Sequence, residues 1–193
     1  MASATSGIKS NELILRDVRI SFPDLFVAKS FEGQADKPPK YGAAFVVTKG
    51  SDADLKIRAR IEEVGVETFG KRWPLVHESI KLNKQKCAYL PGEMKDYDGY
   101  AGNMVLSTKR DQSAGAPLVL DSNPQVILKP SDGRPYSGCY VVAKVSLYAS
   151  KKWEGVWATL VAVQFLRHGD AFTAASPATA DGFAEETSGD ELE

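Results

Sequence analysis

Histidine and cysteine are nearly absent from this 193-residue chain, with two of each. Cys87 and Cys139 lie far apart and form no CxxC pair, so neither a disulfide framework nor a zinc knuckle is expected, and a reducing compartment suits the chain. There is no HExxH, no GxxxxGK phosphate loop and no GxGxxG following a strand. His77 and His168 read as surface or strand-end residues, and Cys139, on an apolar face, reads as a buried thiol. No catalytic residue, metal or cofactor is therefore expected. Asp96-Tyr97-Asp98-Gly99 looks like the start of a calcium loop, but Ala101 and Ser107 stand at the sixth and twelfth positions, where such a loop needs Gly and Glu. No apolar run approaches the roughly 20 residues of a membrane helix, and the opening MASATSGIKSNE lacks a secretory segment. A soluble, unsecreted protein with no membrane partner is expected.

Charge is plentiful but unevenly placed. The totals are 24 basic and 25 acidic residues, a net of −1. Residues 169–193 hold seven of the acids (Asp170, Asp181, Glu185, Glu186, Asp190, Glu191, Glu193) and no Lys or Arg, which leaves 24 basic against 18 acidic residues over 1–168, a net of +6. A basic body with an acidic tail suits polyanion binding, the tail competing for the same surface or recruiting partners. A solubilising tail on an ordinary domain is the plain alternative.

Residues 1–10 are small and polar without periodicity, which predicts disorder. Glu12 to Phe22 alternates as a strand that Pro23-Asp24 ends, and residues 27–40, with Lys37-Pro38-Pro39-Lys40, read as loop. Tyr41 to Thr48 is a strand with Tyr41, Ala43, Phe45 and Val47 on one face. Ser51 caps a helix running to about Phe69: Asp52 and Asp54 complement its positive end, Ile57, Ile61 and Val64 recur at helical spacing, and Gly70 closes it. Residues 71–102 predict short strands or irregular loops. Asn103 to Lys109 predicts a strand, and Val119 to Leu128 one broken by Pro124.

Tyr136 to Gly169 reads as two long strands joined by a basic turn. In the first, Cys139, Val141, Ala143, Val145 and Leu147 share a core face, and Tyr140, Lys144 and Tyr148 share the other. Lys151, Lys152 and Trp153 lie in the turn. Rings that stack bases beside ammonium groups that meet phosphates suit sequence-tolerant binding of single-stranded nucleic acid. The second strand, Val156 to Phe165, is apolar on both faces, which predicts burial on both and places Trp157 in the core. A mostly β chain with one helix, a basic body and exposed aromatics suggests an oligonucleotide-binding (OB) barrel.

RISFPDLF (19–26), PKYGAAF (39–45), the helix start Asp52-Ala53-Asp54-Leu55-Lys56, PYSGCYVVAKVSLYA (135–149) and GVWATLVAVQFLRHGD (155–170) resemble a bacteriophage family of single-stranded-DNA-binding replication proteins, over roughly Arg16 to Phe172. The resemblance implies a barrel that coats single-stranded DNA during phage replication in the host cytoplasm, without base specificity or catalysis. It also implies an acidic tail that contacts phage or host replication proteins and competes with DNA. Such tails often end in an aromatic residue, whereas this chain ends Glu191-Leu192-Glu193, with Phe183 further in.

The expected fold is mainly β: an OB-fold-like five-stranded barrel with insertions and one main α-helix at about 52–69. Residues 1–10 would be a disordered start, 11–169 the DNA-binding domain and 170–193 a flexible, disordered acidic tail. The expected DNA surface comprises Tyr140, Lys144, Tyr148, Lys151, Lys152 and Trp153, with Lys84, Lys86, Lys109, Arg110 and Arg134 giving phosphate contacts. Two readings of other classes stay open: a phage structural or assembly protein whose β domain binds proteins, and a metal-dependent nuclease, which would need clustered carboxylates.

Overall fold

The computed structural model describes residues 11–30 and 37–172. The expectations for residues 1–10 and for the tail beyond Phe172 lie outside the described residues. In chain order the main elements are β1 (Glu12–Lys29), β2 (Lys40–Thr48), α1 (Asp52–Phe69), α2 (Trp73–Ile80), β3 (Tyr89–Pro91), β4 (Asn103–Asp111), β5 (Leu118–Leu120), β6 (Tyr140–Ser150) and β7 (Gly155–Arg167).

Leu15 and Val18 of β1 are both buried although three residues apart. An inserted residue reconciles this: Asp17 sits at φ 56, and the register against β6 slips between Leu15 and Val18. A second break at Phe22, φ 49, places Pro23 between the paired residues Ser21 and Asp24, where its missing N–H interrupts no ladder bond. The strand therefore runs on to Lys29 and does not end at Pro23 as the sequence suggests.

β1 pairs antiparallel with β2 and β6, β2 with β4, and β6 with β7. A parallel contact at Lys109↔Thr159 joins β4 to β7 and closes a ring of five strands. This is the closed five-stranded barrel expected of an OB fold, with one main helix. β3 flanks β4, and β5 lies parallel beside β7. Alternate residues point inward, among them Leu15, Ile20, Phe45, Leu106, Val141, Val145, Leu147 and Leu160, each fully shielded from water. Each such aliphatic or aromatic side chain stabilises the fold by about 1.5–3 kcal/mol.

Ile57, Ile61 and Val64 carry α1 onto this core. Ser51 Oγ accepts from the Asp54 N–H at 3.3 Å. Asp54 itself is buried, and its carboxylate accepts from Gly50 N–H (2.8 Å), Arg58 Nε (2.7 Å) and Tyr89 OH (2.7 Å). Burial alone would raise this carboxyl, but the three donors outweigh burial and hold it below the ordinary carboxylate range. Within residues 71–102, where short strands or irregular loops are expected, the short strand β3 is present, but Trp73–Ile80 forms a second helix, α2. Pro74 reads as a breaker but falls in the first turn, where its absent N–H has no helical partner to lose. α2 packs closely on α1 because Gly65 leaves room for the Trp73 ring, whose Nε1 donates to Glu62 at 2.6 Å.

Candidate nucleic-acid interface

The outward face of β2 carries Lys40, Gly42, Ala44 and Val46, which stand opposite Asp111, Lys109, Ser107 and Val105 of β4. One end of this face is apolar, where Ala44, Val46 and Val105 pack with Tyr100 beneath the Phe172 ring. The other end is charged. It opens into a groove of about 1000 Å³ bounded by β2, β4, β7, the β6–β7 turn and the segment before β3.

Six cations line the groove: Lys37, Lys40, Lys84, Lys95, Lys109 and Arg110. Among the described residues the single lining acid is Asp111, paired with Lys40 at 2.7 Å. Burial, then the charges of Lys40, Lys95 and Lys37, push the Lys109 ammonium below the ordinary lysine value. Burial, then Lys84, does the same to Lys95. The like charges crowded around Lys95 and Lys109 would be relieved by a bound polyanion.

Three rings complete the walls. Tyr148 and Trp157 face each other across the β6–β7 register, centroids 6.0 Å apart, and Trp157 Nε1 donates to the Gln85 carbonyl at 3.3 Å. Trp153 crosses the rim in the turn, 63% exposed, with Lys152 Nζ 4.9 Å from its ring centroid. Bases held against such rings must be unstacked, which a single strand allows and an intact duplex does not.

Residues 11–193 match the family described as the ssDNA-binding protein of Enterobacter phage Enc34. The chain belongs to that family. A relative in Acyrthosiphon pisum secondary endosymbiont phage 1, protein p50, is 40% identical over 182 residues, 93% of this chain and 96% of the relative. The Enc34 single-stranded DNA-binding protein solved in complex with ssDNA has a TM-score of 0.64 at 21% identity, covering 84% of this chain and 90% of that one. For gp2.5, the single-stranded DNA-binding protein of bacteriophage T7, the TM-score is 0.54 at 14% identity, with 91% and 97% covered. At these identities the solved structures establish a shared fold.

In this member of the Enc34 family the residues singled out from sequence divide between places. Tyr148, Trp153, Lys84, Lys109 and Arg110 line the groove. Lys151 and Lys152 are exposed in the turn that carries Trp153, and Lys86 lies between the lining residues Gln85 and Cys87. Arg110 donates to the carbonyls of Ala114 and Gly115, each at 2.7 Å, and so holds the loop at the groove wall. Tyr140 and Lys144 share the outer face of β6 with Tyr148. At a rise of about 3.3 Å per residue, however, Tyr140 stands roughly 26 Å from Tyr148. Lys144 is paired with Glu12 at 2.8 Å, and the Tyr140 ring lies under the Arg167 guanidinium, 3.4 Å from centroid to Cζ. Arg134 is paired with Asp121 at 2.7 Å, outside the groove.

Lys37, Lys40, Lys95 and Trp157 line the groove without having been singled out. Lys37 and Lys40 flank a Pro-Pro pair that reads only as a strand breaker. Trp157 could have been found by counting the hairpin: with Ser150 opposite Gly155, Trp157 must stand opposite Tyr148, on the outer face. The expected burial of both β7 faces is thus corrected, since Trp157 and Thr159 are half-buried groove walls. Among the described residues no group of His, Cys, Asp or Glu is placed to hold a metal ion, and no helix is long and apolar enough to cross a membrane.

Proposed function

We propose that this phage-family protein binds single-stranded DNA in the groove without reading its sequence, and coats and protects the strand during replication and recombination in the infected host. The observation that carries the reading is one groove in which, among the described residues, six cations and three aromatic rings meet a single acid. Each stacked base is worth ~1–3 kcal/mol and each neutralised phosphate adds ~0.7 to the log–log salt slope. Neither contribution depends on base identity. The reading requires binding alone and no bond-making step. The acidic tail would modulate binding or recruit phage or host replication proteins.

The test is an equilibrium titration of the full chain with single- and double-stranded oligonucleotides over a range of salt. Tight, salt-dependent binding that prefers the single strand is expected. Equal affinity for both forms, or none, would favour the reading as an assembly protein.

A further inference from the structure

A second concavity of about 290 Å³ lies on the same side of the barrel as the groove, and its lining includes Phe22, Tyr97, Asp24, Lys29, Asp98 and Phe172. Two aromatic rings stand open in it: Phe22 and Tyr97 are each 44% exposed, with centroids 4.8 Å apart. Phe22 is held at φ 49, a left-handed conformation that a bulky residue adopts only where its surroundings impose it, and such residues cluster at ligand sites. Here the effect is to turn an apolar ring outward from a strand whose neighbours Ile20 and Leu25 are fully buried.

The notch borders the groove. Across β1, β2 and β4 the paired residues run Asp24↔Gly42↔Lys109 and Lys29↔Lys40↔Asp111. At about 4.8 Å per strand, Asp24 lies roughly 10 Å from Lys109 with only Gly42 between them. Gly42 cannot carry a side chain, since a Cβ there would stand 2.9 Å from the Thr108 carbonyl oxygen. No side chain of β2 therefore stands between the two concavities, although Gly42 itself is buried. Charge distinguishes them: the groove is crowded with cations, whereas Lys29 in the notch is already paired with Asp24. With its one lysine paired and the carboxylates of Asp24 and Asp98 in its lining, the notch suits a nucleobase, which has a face to stack and amino groups to donate, better than a phosphate.

We infer that the Phe22–Tyr97 notch is a further base-binding subsite for the strand held in the neighbouring groove. The inference rests on the groove reading above and extends it to a site with its own ligand chemistry.

Fluorescence anisotropy with oligodeoxycytidines of increasing length tests it on the full chain and three variants. Phe22→Gly removes a ring and suits the local φ, so the fold is kept, Tyr97→Leu removes the second ring independently, and Lys109→Ala perturbs the groove. Wild-type affinity is expected to rise with length until both sites are spanned. Phe22→Gly and Tyr97→Leu should match wild type on the shortest strands and bind the longest about tenfold or more weakly. Lys109→Ala should be weaker at every length. If both ring variants follow wild type throughout while Lys109→Ala is impaired, the notch is not a subsite and the groove reading stands. Ring variants that lose affinity equally at all lengths would also overturn a separate subsite. Wild type that fails to bind single strands, or is indistinguishable from Lys109→Ala, would remove the groove reading and this one together.

Discussion

Lys109 shows how much chemistry one side chain concentrates here. Its ammonium is partly withdrawn from water and faces Lys40, Lys95 and Lys37, so in the free protein it releases its proton below the ordinary lysine value of 10.5. A bound phosphate would restore the charged form. Between the lowered free value and the restored bound value the complex therefore holds more protons than the free protein, and affinity must fall as pH rises through that window. Single-strand affinity is thus expected to decline at alkaline pH short of the ordinary lysine range, and Lys109→Ala should flatten the decline. A pH series of titrations at constant salt measures both, and an unaltered profile in the variant would exclude Lys109 from phosphate contact. The rings should behave differently. Trp153→Ala is expected to cost ~1–3 kcal/mol of binding and leave the salt slope unchanged, whereas Lys95→Ala should reduce the slope by ~0.7. At this scale the sequence was legible in residue type more than in place. Tyr148, Trp153 and Lys109, picked out for aromatic and basic chemistry, share one groove. Tyr140 and Lys144 obey the same period-two logic and share the face, but they stand further along β6, against Arg167 and Glu12, and do not line the groove. Periodicity gives direction, while distance along the strand and the partners Glu12 and Arg167 come only from the folded chain.

Elements were legible wherever hydrogen bonding follows a local pattern, as in α1 with its Ser51 cap and in β6 with its alternation. They were illegible where a local signal is overruled by a neighbour. Pro23 reads as a strand end until the bulge at Phe22 absorbs it, and Gly65 reads as a weak point in α1 until Trp73 is seen against it. The helix pair supplies a prediction at its own scale. Gly65→Ala would gain about 0.5–1 kcal/mol of helix preference, but the added Cβ would intrude on the Trp73 ring. Overpacking of this kind costs ~1–3 kcal/mol, and the cost should win because Trp73 is itself buried and bonded to Glu62. Thermal denaturation followed by circular dichroism should show a lower Tm, with single-strand affinity unchanged because α1 and α2 contribute no side chain to the groove. A Tm equal to or above wild type would mean that Trp73 can move aside at little cost.

At the scale of the whole molecule, the uneven charge first seen in the sequence acquires a geometry. Phe172 packs against the cluster of Ala44, Val46, Tyr100 and Val105, its ring 4.1 Å from the Arg19 guanidinium and its N–H bonded to the Ser137 carbonyl at 3.0 Å. The acidic segment therefore starts from the same outer face of β2 and β4 that carries the groove. Val46 and Gly42 are four residues apart, roughly 13 Å along the strand. Residues 173–193 hold six acids and no Lys or Arg, so removing them changes the formal net charge from −1 to +5. Truncation should be made after Phe172, since a cut before Asp170 would also strip the Phe172 ring from the apolar cluster it packs against and confound binding with stability. The truncated chain is expected to bind single-stranded DNA more tightly than the full chain at low salt, where charges interact over ~30 Å. The two should converge by 1 M salt, where that range falls to ~3 Å. Equal affinities at low salt would show that the acids do not compete for the groove. A gap that persists at high salt would mean that the segment acts through contacts other than charge.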